Sequence, residues 1–208
     1  MNAKPERFVH SELGSYGKRS MDDRTIAERI DKSGTELQDL IMETKLEFIL
    51  TNSYKAEMIS YMKSHPGDFE EAIRLAIADK QPYSWRAAWL LWSCMDKNDP
   101  RIQRNIEKII DAIPSKGDEQ ARELLIILQQ MDLKDEYEGR IFDICINIWQ
   151  KTGKRPSLRY NAFKLMVKII KKHPELSQEI IFLTEPHYTD SLSDGVKRSI
   201  SKMIAELK

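Results

Sequence analysis

The stretch SWRAAWLLW, residues 84–92, holds three of the four tryptophans of this 208-residue chain. Trp85, Trp89 and Trp92 fall at i, i+4 and i+7, a spacing that puts them on one stripe of a helix. The motif returns downstream. Arg86 in WRAAWLL is followed by Arg122 in ARELLII, Arg159 in LRYNAFK and Arg198 in KRSISKM, at intervals of 36, 37 and 39 residues. Between them, Ile73, Ile110, Ile146 and Ile181 recur in similar apolar settings at intervals of 37, 36 and 35. Helical pairs repeating at this period are the mark of an α-solenoid. One pair cannot cover its own apolar face, so neighbours stack and each unit contacts mainly the next.

Starts and stops fit that reading. Thr35 with Gln38 reads as a capping box before LQDLIMETKLEFIL, and Asn52 or Ser53 opens YKAEMISYMKS. Asp68 opens FEEAIRLAIAD, and Pro82 starts the tryptophan helix. Asp99-Pro100 is a cap followed by proline at the first helical position. Asp118 is expected to cap EQARELLIILQQM, Asp135 precedes EYEGRIFDICINIWQKT, and Gly153 and Pro156 lead into SLRYNAFKLMVKIIKK. Pro174 and Ser177 precede a short QEIIFLTE helix, and Ser193 begins the last. No period-2 run bounded by hairpin turns occurs, so no sheet is predicted.

The fold expected is all-α, a right-handed α-α superhelix of nine to eleven helices. Residues 1–34 are polar, without sustained periodicity, and read as a flexible tail. Residues 35–208 read as a single repeat domain.

SWRAAWLLW, SLRYNAFKLM and GVKRSISKMIAEL resemble the start of the first helix of HEAT-type (armadillo-like) repeats. There an arginine follows an apolar residue and precedes small and large apolar ones. The resemblance covers roughly residues 50–208, about four units. It implies a HEAT-like solenoid and little about function, because such arrays serve many roles. The family also includes helical-repeat DNA glycosylases acting on alkylated bases, which use aromatic side chains, an acid and a basic concave surface. Asp96 and Asp99 lie near the tryptophans but past the helix end, where Asp99 is better explained as a cap.

In such an array the tryptophans read mainly as packing between repeats. Trp85, nearest the helix start and beside Tyr83, is the one expected to be partly exposed, so Tyr83 and Trp85 are the candidate aromatic contact. Charge gives a second candidate. Residues 151–208 carry 12 basic and 6 acidic side chains against 21 and 27 in residues 1–150, so a net charge of zero hides halves of +6 and −6. Lys151, Lys154, Arg155, Arg159, Lys164, Lys168, Lys171 and Lys172 fall in one run without an acid. A solvated helix face is the plain reading of that run, and a patch for phosphates or an acidic partner the sharper one.

No Gly-rich phosphate loop, HExxH or GxSxG occurs, and His10, His65, His173 and His187 stand singly near turns. No metal site or cofactor is expected. Cys94 and Cys145 lack ligand-spaced neighbours and read as buried thiols of a reducing, cytoplasmic compartment. No run approaches the roughly 18 apolar residues of a membrane span. The function expected is a non-enzymatic protein-interaction or scaffold module. The alternative is a nucleic-acid-binding repeat protein, in its most specific form an alkylated-base glycosylase.

Overall fold

The structure is a computed structural model and describes residues 43–207. The tail read over residues 1–34 and the Thr35–Gln38 capping box lie outside the described residues.

Among the described residues every regular element is helical. α1 is Lys45–Asn52, α2 Lys55–Ser64, α3 Phe69–Ile77, α4 Tyr83–Cys94, α5 Pro100–Gln103 and α6 Ile106–Ala112. α7 follows at Asp118–Gln129, α8 at Asp135–Gln150, α9 at Pro156–Ile170, α10 at Ser177–Phe182, α11 at Pro186–Thr189 and α12 at Asp194–Ala205. Short 3-10 turns at Pro66–Asp68, Ile113–Ser115 and Pro174–Leu176 link some of them.

The helices form two layers. In the core layer α4, α7, α9 and α12 stack side by side. They start at residues 83, 118, 156 and 194, so at intervals of 35, 38 and 38. α1 starts 38 residues before α4, on the same register, and packs against it. In the second layer α3 packs on α4, α6 on α7 and α8 on α9. The protein is an all-α helical-repeat solenoid.

Its core is continuous from Leu46 and Leu50 through Leu90, Leu91, Leu124, Leu125 and Phe163 to Ile200. Each large aliphatic side chain here contributes roughly 1.5–3 kcal/mol by leaving water. The fully buried tryptophan is Trp149, on α8, tilted against Phe163 with ring centroids 4.7 Å apart. Its indole Nε1 donates to the Leu183 carbonyl at 2.8 Å, so the buried N–H is satisfied.

Polar side chains tie the units together. Arg86 donates to the Leu50 carbonyl, 36 residues back. Gln130 Nε2 reaches the Trp92 carbonyl over 38 residues, and Gln120 Nε2 the Ala76 carbonyl over 44. Lys116 pairs with Asp79 over 37, and Trp92 Nε1 donates to Glu123 over 31. These separations bracket the repeat period, because each bond crosses from one unit to its neighbour.

Four local expectations differ from the structure. Of the run read as helix over LQDLIMETKLEFIL, the described part starts with Glu43 and Thr44, which are not helical. α1 begins after Thr44, whose Oγ1 accepts the Glu47 N–H at 3.1 Å while Glu47 Oε2 accepts the Thr44 N–H at 3.2 Å. Asn52 is the last residue of α1, not the cap of α2. The residue before α2 is Tyr54, whose N–H donates to Glu57 at 2.8 Å. Gly117 precedes α7, and Asp118 is its first residue with its carboxylate turned to the next unit.

The helix expected after Asp99-Pro100 breaks at Arg104–Asn105. There the Asn105 side chain donates to the Arg101 carbonyl at 3.1 Å, competing with the helical ladder. That break, and the unexpected α11 in EPHYTD, bring the α-helices of residues 43–207 to twelve.

Candidate interaction face

The tryptophan stripe is less deeply buried than the opposite face of its helix. Successive helix residues are about 100° apart, so Ala87, Leu90 and Leu91 lie opposite the stripe. Those three, with Ala88, are completely buried. Trp85, Trp89 and Trp92 are only half-buried. Trp89 and Trp92 lean on the core and meet edge to face at 6.0 Å, but all three keep an outward edge. Trp89 and Trp92 thus pack against the core as expected, but less completely, and Trp85 is partly exposed as expected. α4 has a small aliphatic face that packs and a wide aromatic face that covers it.

Neighbouring core helices continue this outward face. Arg122, Ile126 and Gln129 on α7 are half-buried, as are Tyr160 and Asn161 on α9. Cross-helix bonds set the alignment. Trp92 Nε1 donates to Glu123 Oε2 at 2.6 Å, and Gln129 Nε2 donates to Asn161 Oδ1 at 3.1 Å. The Tyr160 hydroxyl meets Ser199 Oγ on α12 at 2.7 Å. Glu123 is buried and paired with Arg122, so its charge is compensated within the fold. Lys164 lies 5.9 Å from the Tyr160 ring centroid and is exposed, as are Arg198 and Lys202 on α12. Among the described residues, Lys164, Arg198 and Lys202 make no ion pair.

The eight-residue basic run does not form one surface. Arg159 is buried. Its guanidinium donates to the Trp149 carbonyl at 2.9 Å, to Ser191 Oγ at 3.0 Å and to the Tyr188 carbonyl. Lys154 pairs with Asp118 at 2.6 Å, and Arg155 with Glu119 at 2.6 Å. Lys168 donates to the Gln129 carbonyl at 2.9 Å and to that of Met131, closing the end of α7. Lys171 pairs with Glu206, and Lys172 with Glu138 and Asp132. Only Lys151 and Lys164 of the eight remain without such a partner among the described residues.

Tyr83 and Trp85 point to different places. The Tyr83 hydroxyl donates to Glu43 at 3.0 Å, and burial, with Glu43 beside it, pushes its pKa up. Trp85 lines a cleft of about 490 Å³ with Asp79, Gln81, Pro82, Gln120 and Arg155, which Tyr83 does not border. Asp99 caps α5 by accepting the Arg101 N–H at 2.9 Å, and the Arg101 guanidinium holds its carboxyl below the usual range.

One cluster escaped the reading of the sequence. Asp135 and Glu138, on the first turn of α8, meet His173, which follows α9. His173 Nε2 lies 2.6 Å from Glu138 Oε2, across 35 residues. A hydrogen bond to Glu138 raises the His173 pKa. Nothing local marks this meeting. Only the repeat period, which sets position 138 beside position 173, could have suggested it.

No helix among the described residues is long and apolar enough to cross a membrane. The helical-repeat architecture agrees with the comparison of sequences. The HEAT repeat domain family matches residues 42–207, and the chain belongs to that family. No curated protein matches the chain, and no solved structure does.

Proposed function

We propose that this protein is a non-enzymatic interaction scaffold that binds an acidic segment of another protein on the outward face of α4, α7, α9 and α12. One observation carries the reading. Lys164, Arg198 and Lys202, exposed and without acidic partners among the described residues, share that face with half-buried Trp89, Ile126 and Tyr160. Aromatic anchors supply binding energy and unpaired cations steer an acidic partner onto them. Helical-repeat arrays present extended surfaces suited to such segments. Free Cys94 and Cys145 suit a reducing compartment, in keeping with a cytoplasmic protein.

The rival reading, nucleic-acid binding, draws on the same cations and aromatic faces. It is weakened because Lys154, Arg155, Arg159, Lys168, Lys171 and Lys172 are engaged within the fold. The glycosylase form is weaker still, because Asp99 is spent on its cap and on Arg101.

The test is capture of partners from source lysate with and without nuclease, using the parent chain, Trp89→Ala and Lys164→Glu/Lys202→Glu. A protein retained after nuclease, and lost with either variant, supports the scaffold. Partners that vanish on nuclease treatment overturn it in favour of the rival, whose affinity falls steeply with salt.

A further inference from the structure

We propose that Asp135, Glu138 and His173 bind a divalent transition-metal ion of the zinc type, clasping the start of α8 to the end of α9. The donor set is an imidazole and two carboxylates, borderline ligands that suit such an ion. Asp135 and Glu138 stand at i and i+3, so both project from the same side of the first turn. One ligand atom from each of the three residues lies within 4.8 Å of the others. Tetrahedral zinc, with bonds near 2.1 Å, asks for about 3.4 Å between ligand atoms, so small side-chain rotations complete the site. Glu138 is buried, whereas Asp135 is exposed and His173 half-buried, which leaves an entry path and room for water as the fourth ligand.

The surroundings approach what metal ligands require, with one contact still to tighten. A ligating histidine usually turns its other nitrogen to a carboxylate, and a ligating carboxylate is itself hydrogen-bonded. His173 presents Nε2 to Glu138 and Nδ1 to Glu175, whose Oε1 is 3.6 Å away. Glu138 presents Oε2 to His173 and gives Oε1 to the Lys172 ammonium at 2.8 Å. Lys172 thus sits on the oxygen the metal does not need, and Asp132, 3.5 Å from it, offsets its charge. The positive end of the α8 dipole opposes a cation. With Asp132 set against Lys172, the charges of Asp135, Glu138 and Glu175 outweigh it.

The site follows from the fold and is separate from the outward face, so either proposal can fail alone. The full-length, tag-free protein is stripped with chelator and titrated with zinc chloride by calorimetry, with cobalt(II) absorption as a second probe. One ion is expected per chain, with Tm rising by about 5 °C at zinc one hundred times its Kd. Asp135→Asn leaves the His173–Glu138–Lys172 contacts in place and is expected to weaken binding at least tenfold. His173→Ala is expected to abolish both the heat and the zinc-dependent rise in Tm while keeping the helical circular dichroism. Absence of saturable one-to-one binding overturns the proposal. So does binding that persists unchanged in both variants, which would place the ion elsewhere.

Discussion

Asp118 accepts the backbone N–H of Arg155 at 2.8 Å, although 37 residues separate them. Asp118 opens α7, and Arg155 is the residue just before α9. The aspartate of one unit therefore holds the helix start of the next, and Lys154 closes on its other oxygen at 2.6 Å. A side-chain bond to a helix-start N–H is worth about 1–2 kcal/mol. Asp118→Ala should lower Tm by about 4 °C. Asp118→Asn, which keeps an acceptor oxygen, should lose less. Thermal melts of the two variants decide this, and equal losses would mean that the ion pair with Lys154 matters more than the cap.

Among the described residues, three carboxyls lie below their ordinary pKa. At Asp99 the Arg101 side chain is the main cause. At Asp118 burial pushes the other way but is overcome by the Arg155 N–H and Lys154. At Glu138 burial is likewise overcome, by Lys172 and His173. A depressed carboxyl stabilises the fold above its unfolded pKa, near 4, and that contribution is lost as pH falls through the folded value. His173 works in the opposite sense. Its raised pKa stabilises the fold fully below about 6.5, and this is lost as pH rises through the folded value. Melts from pH 3 to 9 in chelator should show an acid limb below about pH 4 and an alkaline limb above about 6.5. His173→Gln should remove the alkaline limb and, because His173 also helps to depress Glu138, trim the acid limb slightly.

The helical class and the repeat period were open to reading because apolar spacing and proline placement are local. Each of the seven prolines from Pro66 onward stands at or beside the start of a helix or 3-10 turn, as the chain's punctuation implies. The destination of polar side chains was not local. Lys168 and Arg159 look like surface charges in a basic run, yet both close backbone carbonyls, because stacking brings helix ends beside them. The tryptophan stripe could have been read more closely. α4 is apolar on two sides, and the side with alanines permits the closer approach of neighbouring helices, which leaves the wide rings outward. The Asp118–Arg155 bond needed the period to be applied to polar positions as well as to apolar ones.

The four arginines that reveal the repeat do different work, and mutation should separate them. Arg159 is buried and satisfies two carbonyls, so Arg159→Met leaves Trp149 O and Tyr188 O without their donor and should cost about 3 kcal/mol. Arg198 is exposed, so Arg198→Ala should stay within about 0.5 kcal/mol. Urea unfolding of both variants measures the contrast. Similar losses would show that the repeated arginine has one structural role throughout and that the buried geometry at Arg159 is not decisive.

The unequal burial of the tryptophans gives an optical test of the outward face. Trp149 is sealed under α9, whereas Trp85, Trp89 and Trp92 each keep an exposed edge. Iodide, a charged quencher excluded from the interior, should therefore reach part of the emission and leave the rest. Trp149→Phe should remove the protected fraction, shift the remaining emission to the red and make it almost wholly quenchable. The substitution keeps an aromatic ring against Phe163 but leaves the Leu183 carbonyl without its donor, so a loss of about 1–3 kcal/mol is expected as well. Trp89→Ala should do the reverse and raise the protected fraction. Protection that survives Trp149→Phe would place the three-tryptophan stripe inside the core and remove the aromatic half of the proposed binding face.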